Sequence, residues 1–175
     1  MTNPTQFHIT EATEADWPWI VQGQVEIAWA RLGRDGQQAT RREALKESVV
    51  RHLDQLRRDE GFPNQAFLAR AADGTPAGFV WVARTHNDST GQLEASLLNQ
   101  YVAAPFRGQG LGHQLMEAAE TWAREQGLGR ISLSVGAQNT LGQRLYESLG
   151  YQVETLRMTK PLDSEEDQPL QLSNV

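Results

Sequence analysis

Apolar residues along this chain alternate between two spacings, and the changes of spacing mark its elements. Phe7-His8-Ile9-Thr10 alternates as a first strand. Thr13 is placed to cap a helix carrying Ala15, Trp17, Ile20, Ile27 and Trp29, with Pro18 in its first turn. Gly33 through Gln38 reads as a polar loop. A second amphipathic helix spans roughly Thr40 to Arg58, with Leu45, Val49, Leu53 and Leu56 on one side. Gly61-Phe62-Pro63-Asn64 breaks it. Ala66 to Ala71 and Ala77 to Arg84 read as strands joined at Asp73-Gly74, a turn signal. A polar loop from His86 to Gly91 leads to a strand ending at Tyr101-Val102. Leu111, Leu115, Ala118, Ala119 and Trp122 then recur at helical spacing. Ile131 to Val135 alternates again, and Asn139 suits the N-cap of a helix bearing Leu141, Leu145 and Leu149. Gly150 ends that helix and Tyr151 opens another strand-like run. There is no internal repeat.

The turn from strand to helix at Arg107-Gly108-Gln109-Gly110-Leu111-Gly112 carries the strongest chemical signal. Glycine lets backbone N–H groups approach a ligand without an intervening Cβ. A helix N-terminus adds unpaired donors and the positive end of a dipole. Arg107 adds a cation at the mouth. The stretch is suited to phosphate or pyrophosphate. It lacks the lysine of a P-loop, and His113 stands where a dinucleotide fingerprint needs its third glycine.

The ordered set of strand, Arg107-x-x-Gly110-x-Gly112, helix, strand, Asn139, helix with Leu145-Tyr146, then Gly150-Tyr151, resembles the GNAT superfamily of acetyl-CoA-dependent N-acetyltransferases. The motifs that carry the resemblance run from about Leu93 to Leu162. The resemblance implies an α/β (α+β) fold, with a mixed, mostly antiparallel sheet and helices on both faces. Its parallel pair, Leu93–Val102 and Arg130–Val135, would splay at the end carrying the glycine loop. The pantetheine arm of acetyl-CoA, the cosubstrate, would pair with backbone near Tyr101 and Val102. Its pyrophosphate would meet Arg107 and the amides of Gly108, Gln109, Gly110, Leu111, Gly112 and His113. Asn139 would cap its helix and touch the same molecule.

Amine acetylation needs the ammonium, with a pKa near 10.4 for a lysine-like amine, to lose a proton before attack. The leaving thiolate is helped by a neutral donor. The resemblance places Tyr146 there, to one side of the Leu141–Leu145–Leu149 stripe. Tyr151 is the competing ring. Some family members carry a glutamate on the strand before the loop; the matching position here is Ser96, which cannot be a base at neutral pH. Glu94, two residues earlier, shares that face if no bulge intervenes. A water relay is the other route. The exposed helix position of His113 more often means a surface histidine than a phosphate contact, and His8, His52 and His86 show no metal-ligand spacing. Trp17, Trp19 and Trp29 read as core packing before pocket lining, and Arg41-Arg42 and Arg57-Arg58 as a solvated face.

Composition changes the picture little. The 175 residues suit one domain, drawn as 1–162 with an acidic tail from 163 to 175 that has little to bury. The absence of cysteine excludes disulfides, thiolate nucleophiles and an acyl-cysteine intermediate, so direct attack in a ternary complex is expected. A formal net charge of −6 argues against nucleic acid as a partner. No apolar run reaches membrane-spanning length and no signal peptide is read before Phe7, which makes cytoplasm the expectation. A homodimer is compatible with the family. The acceptor is expected to be a small-molecule or peptide amine. A noncatalytic acyl-CoA-binding or sensing domain is the alternative, and a nucleotide-binding α/β protein a weaker one.

Overall fold

Five strands form one sheet in the order β1-β2-β3-β4-β5: β1 (Phe7–Glu11), β2 (Asn64–Ala71), β3 (Pro76–His86), β4 (Leu93–Val102) and β5 (Ile131–Leu133). The first four are antiparallel neighbours; β4 and β5 run parallel. The computed structural model describes residues 7–58, 61, 63–87 and 89–160. The expected mobile tail from 163 onward, and the boundary at 162, lie outside them.

β3 is buried on both faces from Ala77 to Ala83, which explains its almost unbroken apolar run. Gly74, at a positive φ, makes the β2–β3 turn with Asp73, as its sequence signals. On one face α4 (Leu111–Glu125) lays Leu115, Met116, Ala119 and Trp122 against Val80, Val82, Ala95 and Leu97. On the other, Ile20 of α1 (Trp17–Arg31) and Leu53 of α3 (Arg42–Arg58) cover Leu68, Phe79 and Trp81. Each fully buried side chain of this size stabilises the fold by roughly 1.5–3 kcal/mol relative to exposure. Trp81 keeps its indole N–H satisfied on Asn64 Oδ1 at 2.9 Å. Asp16, in the short 3-10 turn before α1, is paired with Arg70 of β2. Burial opposes its charge, but the Thr13 N–H, Arg70 and the Thr13 hydroxyl outweigh that and hold its pKa below the ordinary value.

Three expectations need correction. Gly33–Gln38 is helix, α2 (Gly33–Ala39), not loop. Leu32 continues in the right-handed helical region, and Gln37 Nε2 reaches back to the Trp29 carbonyl at 2.9 Å. A tertiary clasp thus overrides weak local propensity. The run after Tyr151 joins no ladder. Residues 151–160 are irregular, and Val153, Leu156 and Met158 are 76%, 79% and 90% exposed. The segment is tied to its surroundings by Arg130–Glu154 and by Tyr151 Oη donating to Glu120 Oε1 at 3.2 Å. Arg42 and Arg57 are not a merely solvated face. They pair with Glu26 and Glu14, and their guanidinium groups lie over the rings of Trp29 and Trp17, clasping α3 to α1.

Candidate active site at the splayed strands

The parallel ladder is short. Ala95, Ser96 and Leu97 pair with Ile131, Ser132 and Leu133, and pairing stops there. At the same level β4 carries an extra residue: Val82 faces Leu97, Trp81 faces Asn99, and Leu98 has no partner on β3. A bulge of this kind bends a strand and increases its twist. The bend takes the rest of β4 away from β5, so β5 is only three residues long rather than reaching Val135. Among the described residues no strand pairs with the β5-facing edge of β4 from Leu98 to Val102. Its backbone groups require partners.

That edge runs into the glycine loop. Gly108 and Gly110 sit at φ of +75° and +80°, where side-chain-bearing residues are strained, and a Cβ on either would meet nothing within 4 Å. The backbone there is bare and open. The N–H groups of Gly108, Gly110, Leu111 and Gly112 donate no hydrogen bond among the described residues, whereas His113 and Gln114 give theirs to the Gly110 carbonyl. The Arg107 side chain is held by Nε donating to the Val102 carbonyl at 2.9 Å. Gln109 Nε2 donates to the Pro105 carbonyl at 2.9 Å. The donor set and the empty space fit a diphosphate. Gly112 serves a different purpose from its neighbours: an added Cβ would lie 3.0 Å from Leu145 Cδ2. It lets α4 approach α5 (Thr140–Ser148).

Tyr146, on α5, donates its hydroxyl to Gln100 Oε1 at 3.2 Å, and Gln100 Nε2 donates to the Gly112 carbonyl at 2.7 Å. Burial raises the phenol's pKa and Arg31 opposes it, with burial prevailing. The hydroxyl is therefore neutral and a donor at pH 7. Beyond the bulge, Asn99 takes the opposite face to Gln100 and accepts from Arg31 Nη2 of α1 at 3.5 Å. The Tyr101 ring packs against Phe79 and Trp19 at 5.8 Å from each, leaving its backbone to the strand edge. Tyr151 packs edge-on against Tyr146.

Other sequence candidates are placed elsewhere. Glu94 stands at the far end of β4, six residues from Gln100 and so roughly 20 Å along the strand. It is 6% exposed and accepts from Arg130 Nε at 2.9 Å, Ser132 Oγ at 2.8 Å and Asn87 Nδ2 at 3.1 Å. The bulge at Leu98 also breaks the alternation that would have put Glu94 and Gln100 on one face. The structure does not bring Glu94 to Tyr146. A polar cavity of about 290 Å³ lies beside Glu94 and Arg130, at this remote end. His113 Nε2 bonds Ser148 Oγ at 3.0 Å, linking α4 to α5. Asn139 caps α5 through Oδ1, accepting from the Gly142 N–H at 3.0 Å. Trp17 and Trp19 pack on Trp81 and on Phe79.

Sequence reading missed Gln100, Asn99 and Arg31. Arg31 left no trace: it is an exposed cation in the last turn of α1, a helix whose apolar residues define no single face. Asn99 and Gln100 left none either, because their facing depends on the bulge. Among the described residues no helix is long and apolar enough to cross a membrane, and no group of three His, Cys, Asp or Glu is placed to hold a metal ion.

A model of the acetyltransferase (GNAT) family matches residues 29–151. A mycothiol acetyltransferase of Nocardiopsis dassonvillei is 34% identical over 142 residues, 77% of this chain and 41% of that protein. The uncharacterized N-acetyltransferase YdgE of Bacillus subtilis is 28% identical over 124 residues, 70% of this chain and 78% of its own length. The chain thus spans about two fifths of the mycothiol enzyme. A solved structure from Pyrococcus furiosus, whose acetyl transferase activity is itself only proposed, superposes with a TM-score of 0.78 at 25% identity over 90% of this chain and 100% of its own. An aminoglycoside 6'-N-acetyltransferase of Acinetobacter haemolyticus shares the fold alone, with a TM-score of 0.63 at 17% identity over 89% of this chain and 99% of its own.

Proposed function

The chain belongs to the GNAT acetyltransferase family, and from that premise we propose that it moves an acetyl group from acetyl-CoA to a primary amine by direct attack in a ternary complex. The observation that carries this reading is continuity: among the described residues the β4 edge that no strand pairs leads into a loop where the N–H groups of Gly108, Gly110, Leu111 and Gly112 donate no hydrogen bond. An arm with amide groups can complete the strand edge at Tyr101 and Val102 while its diphosphate takes the N–H groups of Gly108, Gly110, Leu111 and Gly112. Arg107 adds charge, and Asn139, whose Oδ1 caps α5, would touch the same molecule. Acetyl-CoA has this form.

Within this reading Tyr146 donates to the sulfur that leaves, its hydroxyl turning from Gln100 to do so. Gln100 holds the phenol against α4 until then. The separation of Glu94 from Gln100, roughly 20 Å along the strand, supports water and not Glu94 as the group that takes the ammonium's proton. Much of the acceleration comes from holding amine and thioester together. Mycothiol and streptothricin, named for relatives of this chain, support a small-molecule acceptor.

Calorimetry with acetyl-CoA, paired with a thiol-release assay over a panel of amines, tests the proposal. Gly110→Asp puts a carboxylate into the open space beside the diphosphate, at a φ of +80°. Affinity is expected to fall more than tenfold, or more than about 1.4 kcal/mol. Unchanged binding in a folded variant places the cosubstrate elsewhere. Tight binding without turnover on any amine favours an acyl-CoA sensor.

A further inference from the structure

Arg31 closes α1 at the mouth of the splayed strands with its charge unspent. Arg42, Arg57 and Arg70 on the same side of the sheet each have a carboxylate partner. Among the described residues Arg31 has none. Its one hydrogen bond is the 3.5 Å contact from Nη2 to Asn99 Oδ1, at the outer limit for such bonds. The guanidinium thus keeps most of its five donors. It stands across β4 from the catalytic phenol: Asn99 takes one face of the strand, and the adjacent Gln100 accepts from Tyr146 on the other. Its charge acts on that phenol.

A second donor shares the wall. Gln24 precedes Arg31 by seven residues, two turns down the same side of α1 and about 10 Å away. It is 5% exposed, and among the described residues its Nε2 has no hydrogen-bond partner. A buried donor without an acceptor is costly unless something supplies one. α1 therefore carries two sets of donors short of acceptors, Arg31 beside Asn99 of β4 and the Gln24 amide buried two turns down the same helix.

We propose that Arg31 is a specificity-determining residue, and that the acceptor is an amine carrying an anionic group, held by the Arg31 fork with Gln24 as a second donor. This rests on the acetyl-transfer reading above and narrows it. A guanidinium fork matches carboxylate or phosphate in two parallel hydrogen bonds. A polycationic amine would meet a like charge at this wall. An amine whose acid is anchored on α1 is held across β4 from Tyr146, with its nitrogen free to reach the thioester.

Acid and amide pairs of rising spacing test this: glycine, β-alanine, 4-aminobutanoate and glycylglycine, each against its carboxamide, with O-phosphoethanolamine as the phosphate arm. The wild type is expected to favour an acid over its amide by tenfold or more in kcat/KM at one spacing. Arg31→Gln should abolish that preference through KM, with acetyl-CoA affinity by calorimetry unchanged. Arg31→Lys should restore part of it, and Arg31→Glu should reverse it. Preference for the phosphate over every carboxylate would identify the anion as phosphate and keep the role of Arg31. Turnover of amides and plain amines as fast as acids overturns this inference and leaves acetyl transfer standing. So does an acid preference that survives Arg31→Gln. Bound acetyl-CoA with no turnover on any amine removes both.

Discussion

Gln100 shows how one side chain can set two others. Its amide nitrogen is fixed on the Gly112 carbonyl, which leaves its oxygen aimed at the Tyr146 hydroxyl. The phenol is thereby kept at the frayed end of the sheet and kept protonated by burial. Tyr146→Phe removes the hydroxyl and little else. We expect kcat to drop by roughly 10²-fold, in the range for loss of a general acid, with acetyl-CoA affinity nearly unchanged in calorimetry. Near-normal kcat, in an enzyme shown by burst kinetics not to be limited by product release, would reduce Tyr146 to packing. At this scale the sequence was legible where chemistry depends on residue type along the chain. Tyr146, Arg107 and the open glycines could be picked out; Gly112 could not be told from them, because its contact is with Leu145 on a later helix. Asn99, Gln100 and Arg31 meet only through tertiary placement.

At the scale of elements, the bulge in β4 decides most of what sequence patterning could not. Alternation alone puts Glu94 on the face of Ser96 and onward into the cleft; one unpaired residue, Leu98, undoes the count. What Glu94 does instead is fasten three elements. It joins β4 to Ser132 of β5, to Arg130 before β5, and to Asn87 in the β3–β4 turn. Arg130 is half exposed and also meets Glu154, so only part of the network is shielded from water. Glu94→Gln should therefore destabilise the protein by roughly 1–2 kcal/mol, the scale of a charge-assisted hydrogen bond. Thermal melts should show a fall in Tm of several degrees. The pH profile of kcat/KM should keep its shape. Loss of its acidic limb together with an intact melt would restore Glu94 to the reaction. Helix α2 and the run from Tyr151 were misread for opposite reasons. The first is held by a clasp from Gln37 that no local propensity announces. The second has strand-like alternation but no surface to bury it.

For the molecule as a whole, α3 and α4 each present one apolar stripe, so their packing on the sheet follows from spacing, whereas α1 is apolar on several sides and its packed face is set by the sheet it meets. The layer order was legible for that reason. The splay was expected only through the family resemblance, because nothing in the apolar pattern of β4 tells where its pairing ends. That open stretch from Leu98 to Val102 has a consequence for handling and for life in a crowded solution. Unpaired strand edges are adhesive: another chain can dock on them and grow. On the proposed reading this edge lies inside the working site, where charged gatekeepers would block the cosubstrate, and the cosubstrate would double as a protective strand. Coenzyme A at 100 times its Kd should stabilise the fold by about 2.7 kcal/mol and delay the onset of light scattering on heating. Gly110→Asp, binding more than tenfold more weakly, should gain at most about 1.4 kcal/mol at the same concentration and a shorter delay; equal protection of both proteins would mean that clumping starts at some other surface.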